Sequence, residues 1–240
     1  MDLGLAGRVA IVAASSRGLG RAAAEALAAE GARLVVSGRD EASLATARAE
    51  LEASGAEVVA LAGDVAARGT PERLVEAALE SYGRLDVVVA NAGGPRAGHA
   101  LEVSDEELLA AFEANALSAI RLVRAALPHL RAQRFGRICC IASYSVVQPI
   151  PMLALSNTAR TALWAYVKTA AHDLRGSGVT INLACPGVHA TERIVELGLA
   201  GDQAGSPADF GQVVAFLCSV QASFVSGAAI VVDGGESLAL

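Results

Sequence analysis

Two residues four apart, Ser156 and Arg160, pose the first chemical question in this chain. They open the segment Ser156-Asn157-Thr158-Ala159-Arg160, which runs into Thr161-Ala162-Leu163-Trp164-Ala165 and reads as helix. An i, i+4 spacing puts both side chains on one helical face. A guanidinium stays charged up to roughly pH 12, so Arg160 can lend charge but cannot trade a proton. The Ser156 hydroxyl can hold an oxyanion, yet it is a far weaker acid than a phenol of pKa about 10. The pair suits polarising an oxygen better than delivering a proton at neutral pH.

A second constellation lies near the N-terminus. The apolar run Val9 to Ala13 leads into Ala14-Ser15-Ser16-Arg17-Gly18-Leu19-Gly20, with a helix expected from about Gly18. Glycines at 18 and 20 let backbone approach a diphosphate, and a helix N-terminus favours its negative charge. Alone this is a weak pattern; the strand before it and the helix after it give it weight. The next strand ends Ser37-Gly38-Arg39, with no carboxylate to bind a ribose diol. Arg39 and Arg17 suit a 2′-phosphate instead, which favours NADP over NAD. The competing reading is that both are solvated loop arginines.

The elements that must position these residues alternate. Strands are expected at Arg33 to Ser37, Val58 to Ala62, Asp86 to Ala90, Arg137 to Ala142, Val179 to Ala184 and Ala229 to Val232. Between them lie alanine-rich amphipathic stretches: Gly18 to Glu30 (stopped by Gly31), Glu41 to Ser54, Pro71 to Tyr82, a long region Ser104 to Arg131, Leu153 to Arg175, and Pro207 to Ser219. Ser104 and Glu107 have capping-box spacing. Right-handed crossovers place helices on both faces of such a sheet. The expected fold class is therefore α/β, a doubly wound parallel sheet (Rossmann fold), with residues 1–240 forming a single domain.

Composition narrows the function classes. The chain has 240 residues, of which 53% are hydrophobic and 18% charged, which is far from a disordered composition. A net charge of -6 with scattered basic residues argues against a nucleic-acid partner. No apolar run is long enough to cross a bilayer, so no membrane partner is expected. The N-terminus has neither a basic nor an apolar signal region, and a cytoplasmic protein is expected. Cys139, Cys140, Cys185 and Cys218 lack metal-type spacing and read as reduced, buried thiols; no metal site is expected.

The order of these motifs resembles the short-chain dehydrogenase/reductase family over almost the whole chain. The glycine loop resembles the family's Thr-Gly-x-x-x-Gly-x-Gly, except that Ala13 and Ala14 replace Thr-Gly. Asp64-Val65 is similar to the adenine-contacting pair, and Asn91-Ala92-Gly93 to the Asn-Ala-Gly turn beside the cofactor. Asn115 stands at the family's active-site asparagine and Ser143 at its catalytic serine. Pro186-Gly187-Val188-His189-Ala190-Thr191 matches the Pro-Gly-x-x-x-Thr loop beside the nicotinamide, and Asp233-Gly234-Gly235 the C-terminal signature. The resemblance implies NADP-linked carbonyl/alcohol oxidoreduction, like the 3-oxoacyl-carrier-protein reductase branch.

The resemblance fails where the proton should come from. The family uses a Tyr-x-x-x-Lys pair, and alignment from Ser143 puts Ser156 and Arg160 at those positions. The one lysine, Lys168, lies about 12 Å further along the helix on another face. Tyr144 is the best surrogate phenol, though a packed loop tyrosine is the competing reading. His189 is a second, with an exposed loop histidine as its alternative. The lid between Thr191 and Pro207 is shorter than the family's by about ten residues.

Three functions stay open: a reductase with an atypical active site, a catalytically weak nucleotide-binding sensor or partner subunit, and a non-redox cyclisation or elimination. The expected substrate is a small-molecule or acyl-carrier-bound carbonyl. A homo-oligomer, as a tetramer, is expected from the apolar faces of the helices at Ser104 to Arg131 and Leu153 to Arg175.

Overall fold

Branched apolar residues dominate the strands, and the sheet they form buries both faces. The computed structural model describes residues 1–196 and 201–239. Its strands are β1 (Val9–Val12), β2 (Arg33–Gly38), β3 (Val58–Ala62), β4 (Val87–Ala90), β5 (Gly136–Ile141), β6 (Val179–Pro186) and β7 (Ala229–Val232). They form one sheet in the order β3-β2-β1-β4-β5-β6-β7, every pairing parallel. The strand order reverses between β1 and β4. A crevice opens there at the carboxyl ends of the strands, where ligands of such sheets bind. This is the Rossmann-type doubly wound fold expected from the sequence.

The helices are α1 (Gly18–Ala29), α2 (Glu41–Ala53), α3 (Thr70–Tyr82), α4 (Asp105–Phe112), α5 (Ser118–Ala132), α6 (Ala154–Asp173), α7 (Glu192–Glu196) and α8 (Pro207–Leu217). One face of the sheet packs through Ile11, Val35, Val88 and Ile138 against α3, α5 and α6. The other packs through Ala10, Val36, Val89 and Ile141 against α1, α2 and α8. A Cβ on Gly211 of α8 would collide with the Ala22 carbonyl of α1, so glycine there sets how closely the two helices approach.

Local signals hold. Gly31 follows α1 with φ of 78°, and the Ser104–Glu107 capping box forms at the start of α4. One expectation changes. The long region from Ser104 to Arg131 is not one uniform helix, because a π-turn at Glu113–Leu117 separates α4 from α5. Such turns widen a helix by one residue and recur at functional sites. This one contains Asn115.

At the opposite, amino ends of the strands, Asp86 precedes the central strand β4 with a fully buried carboxylate. It accepts from Arg84 at 2.7 and 2.8 Å, from Arg8 at 2.9 Å and from the Val9 N–H at 3.0 Å. Burial pushes its pKa up, but these four donors outweigh burial and hold it below the usual carboxylate range. Arg8 and Arg137 lie over the Phe135 ring at 3.9 and 4.5 Å. This cluster ties β1, β4 and β5 together away from the candidate site.

Candidate functional site

The glycine loop between β1 and α1 is held from three sides. The Ala14 N–H donates to Ser37 Oγ at 3.1 Å, and the Ala14 carbonyl accepts from Asn91 Nδ2 at 3.0 Å. Ser15 Oγ donates to the Val12 carbonyl at 2.7 Å and accepts from the Ser37 N–H at 3.3 Å. These bonds fix Ala14 at φ of 47°, a left-handed conformation that disfavours a Cβ. Alanine thus stands in a conformation that favours glycine, at the position where the resembled motif carries one.

The two loop glycines differ in what they face. A Cβ on Gly18, whose φ is 60°, would meet only Thr191, at 3.7 Å. Its surroundings are otherwise open, as a cradle for a phosphate requires. A Cβ on Gly20 would instead meet the Ala14 carbonyl at 2.5 Å and Asn91 Nδ2 at 2.6 Å. Gly20 lets α1 pack on the loop, and its neighbour Leu19 packs on the core beneath. Thr191, far along the chain, closes over Gly18.

The far end of the cradle carries the arginines. Gly38 is buried beside Ser16: a Cβ there would lie 3.0 Å from Ser16 Oγ. Arg17 and Arg39 are exposed. The Arg39 guanidinium stands 4.0 Å from the Asp64 carboxylate and 3.9 Å from the Cβ position of Gly93. It therefore spans the crevice mouth from the end of β2 to the turn after β4. Asp64 also accepts from the Ala66 N–H at 2.9 Å, while Val65 is buried in the core. Ala92, half-buried beside Asn91, packs against the core.

The catalytic end is built by β5, α6 and the π-turn. Ser143 follows β5 and its Oγ accepts from the Ser145 N–H at 3.1 Å, which leaves its own O–H to donate. Ser156 and Arg160 are both buried on α6. Arg160 Nε donates to Ser156 Oγ at 3.2 Å, and Nη1 donates to the Ile141 and Ala142 carbonyls at 3.0 and 2.9 Å. One guanidinium thus joins Ser156 to the main chain immediately before Ser143. Arg160 also sits beside the Cys185 thiol, which burial pushes up to about 12. Asn115 donates through Nδ2 to the Ala111 carbonyl at 3.3 Å, and its buried Oδ1 has no protein partner.

The surrogate proton donors are engaged elsewhere. The Tyr144 hydroxyl donates to Glu236 Oε1 at 3.0 Å; burial, and next that carboxylate, push the phenol up to about 12. His189 is not the exposed loop residue anticipated as its alternative reading. It is buried, its Nδ1 lies 3.1 Å from the Gly187 carbonyl, and its ring meets Phe210 edge-on at 5.4 Å. The Ala190 N–H donates to the Gly205 carbonyl at 2.9 Å, which pulls position 189 inward over α8. Lys168 Nζ donates to the Gly227 carbonyl at 3.2 Å, away from Arg160. Pro186 ends β6 and the Gly187 N–H donates to the Val232 carbonyl at 2.9 Å, so the Pro-Gly loop leans on β7. Residues 197–200 of the expected short lid lie outside the described residues.

Four participants were missed. Ser37 and Ser15 carry no signal of their own, although the parallel register, which ends at Val12 opposite Val36, brings the residues just beyond it together. Ser145 is fully buried with an unpartnered Oγ beside Ser143. Glu236 reaches the site from the C-terminal tail, and nothing local signals that reach. Among the described residues no group of three or more His, Cys, Asp or Glu could hold a metal.

Fold and cradle together define a Rossmann-type α/β protein with a crevice suited to a dinucleotide. Comparison with known proteins gives the family. A family model described as enoyl-(acyl carrier protein) reductase matches residues 13–237. Dehydrogenase/reductase SDR family member 4 from Homo sapiens is 31% identical over 244 residues, covering 96% of this chain and 88% of that protein. The (S)-acetoin-forming diacetyl reductase of Staphylococcus epidermidis is 31% identical over 251 residues, covering 95% and 98%. Among solved structures, L-sorbose reductase from Gluconobacter frateurii, complexed with NADPH and L-sorbose, matches with TM-score 0.94 at 31% identity over 100% of both chains. YwfH, an NADPH-dependent reductase involved in bacilysin biosynthesis, matches at 0.91 with 25% identity, covering 97% and 99%. The chain belongs to the short-chain dehydrogenase/reductase family.

Proposed function

We propose that this protein is an NADP-linked carbonyl/alcohol oxidoreductase of the short-chain type with an atypical active site. The observation that carries the reading is the open cradle at Gly18, closed by Thr191, with Arg39 across its mouth and no carboxylate at position 38. The NADPH held by the similar L-sorbose reductase supports the same cofactor here. A nicotinamide nucleotide would supply the hydride. Gly18 and Ser16 would hold its diphosphate side, Arg39 and Arg17 its 2′-phosphate, Asp64 and Val65 its adenine, and Asn91, Pro186, Gly187 and Thr191 its remaining length.

The chain's own part in catalysis follows from two hydroxyls and one guanidinium. Ser143 Oγ and Ser156 Oγ each accept a bond from the protein, so each keeps its O–H for the substrate oxygen. Arg160 stands behind Ser156 and lowers the cost of negative charge forming in front of it. Neither serine is acidic enough to replace a phenol, and Tyr144 and His189 are committed elsewhere. The proton is therefore assigned to solvent entering beside Asn115 Oδ1, a buried acceptor without a protein partner.

The substrate class that goes with this site is a small-molecule or acyl-carrier-bound carbonyl, without nucleic acid or membrane as partner. No helix among the described residues is long and apolar enough to cross a membrane, and all four cysteines are free thiols. Those thiols support a cytoplasmic setting.

The test is NADPH consumption with a panel of activated ketones. Native protein should turn over slowly, and Ser143→Ala should lower kcat by about 100- to 1,000-fold, the scale of one lost oxyanion donor. Ser156→Tyr with Arg160→Lys should raise the rate only as a pair, because a phenol needs the ammonium beside it. Native turnover that survives Ser143→Ala would place the reacting carbonyl elsewhere. Nucleotide binding with no turnover favours the sensor reading, and product without NADPH oxidation the non-redox one.

A further inference from the structure

Glu236 stands just past the Asp233-Gly234-Gly235 signature, and the family resemblance gives it no role. Its carboxylate nevertheless touches both loops that frame the candidate site. Oε1 accepts from the Tyr144 hydroxyl at 3.0 Å, and Oε2 accepts from the Val188 N–H at 3.3 Å. Tyr144 adjoins Ser143; Val188 adjoins Gly187. The same tail presses on the Pro-Gly loop directly, since a Cβ on Gly187 would lie 2.6 Å from Asp233 Cβ and 3.0 Å from Glu236 Oε2. Asp233 braces the tail in turn, accepting from the Gly235 and Ser237 N–H groups at 3.0 and 2.8 Å. A second tether joins the Leu238 N–H to Gln148 Oε1 at 2.7 Å, on the loop between β5 and α6.

The β5–β6 pairing ends at Ile141 and Ala184, and beyond it one carboxylate bridges the two loops directly. We propose that Glu236 is a positioning residue that sets the gap between the Ser143 loop and the Pro186-Gly187 loop, where nicotinamide and carbonyl meet. The inference rests on the oxidoreductase reading above. It assigns the tail a selective effect: it should govern the nicotinamide half of the nucleotide and leave the adenosine half, held at Arg39 and Asp64, alone. A carboxylate serves here because it offers two acceptor oxygens to two donors in different directions, whereas a glutamine offers one.

The experiment is titration calorimetry of the full chain with NADPH and with adenosine 2′,5′-bisphosphate, which lacks the nicotinamide half. Glu236→Ala should weaken NADPH by about tenfold, the scale of lost bonds to a charged acceptor, with the bisphosphate unchanged within about twofold. Glu236→Gln should fall between, since one amide oxygen can still accept from Tyr144. Tyr144→Phe should show part of the loss, and combined with Glu236→Ala it should add nothing further. Unchanged NADPH affinity in Glu236→Ala, or equal losses for both ligands, would overturn the proposal while the oxidoreductase reading stands. Failure of the native protein to bind either nucleotide would overturn that reading, and this inference with it.

Discussion

Ala14 holds a φ of 47° because Ser37 and Asn91 bind its N–H and carbonyl from opposite sides. A left-handed alanine costs about 1–2 kcal/mol, and glycine removes that cost while adding some unfolded-state entropy. Ala14→Gly should therefore raise stability by about 0.5–1 kcal/mol in urea unfolding. No gain, or a loss, would show that the loop relaxes around the methyl group. Arg39 is the other residue whose surroundings give a direct expectation. Its guanidinium lies 4.0 Å from Asp64 and is 72% exposed, so the pair is a weak surface contact and can yield to a phosphate. Arg39→Asp should move the preference from NADP toward NAD in competitive binding, by removing the cation and offering an acceptor to a ribose diol. An unchanged NADP preference would assign the 2′-phosphate to Arg17 or to neither arginine.

At the scale of elements, the sheet depends on what happens at both ends of its strands. Asp86 joins β1 to β4 through Arg8, Arg84 and the Val9 N–H. Asp86→Asn removes the charge and one acceptor while leaving both arginines. It should cost about 2 kcal/mol, at the low side for a broken buried pair because Arg84 is 40% exposed. Since its folded pKa is held below the usual carboxylate value, Asp86 contributes its full stability above about pH 4. That contribution is lost as pH falls through the depressed value, so the native and Asn variants should converge in acid. Stability curves that stay parallel down to pH 2 would remove Asp86 from that role. Strands, glycine stops and the capping box were legible because each depends on residues close in sequence. The π-turn around Asn115 was not, since a helix widened by one residue keeps its apolar periodicity almost intact. Arg160 was placed on the correct face of its helix, but its bonds to the Ile141 and Ala142 carbonyls depend on where β5 ends. His189 read as exposed because Phe210 and Gly205, which cover it, come later in the chain.

For the whole molecule, the question is what covers the apolar side chains that the sheet and its helices leave outside. Leu109 and Phe112 on α4 are 69% and 38% exposed, Phe216 on α8 is 40% exposed, and Phe224 before β7 is fully so. The last strand is also an edge, and its four residues Ala229–Val232 are only half-buried. An unpaired apolar edge and exposed aromatic residues favour self-association, and closed point symmetry is the usual way a single chain satisfies several such surfaces at once. We propose a homotetramer with one contact through α4 to α6 and another through α8 and β7, in line with the family resemblance. Light scattering at micromolar concentration should give four times the chain mass of 24.3 kDa. Phe224→Asp together with Phe216→Asp should leave a dimer that still unfolds cooperatively, because both side chains are exposed and lie outside the buried core. A monomer in the native protein, or a tetramer that survives both substitutions, would mean these apolar surfaces serve another purpose. The tail carrying Glu236 follows β7 directly, so the dimer should also show weakened NADPH binding if association steadies that strand.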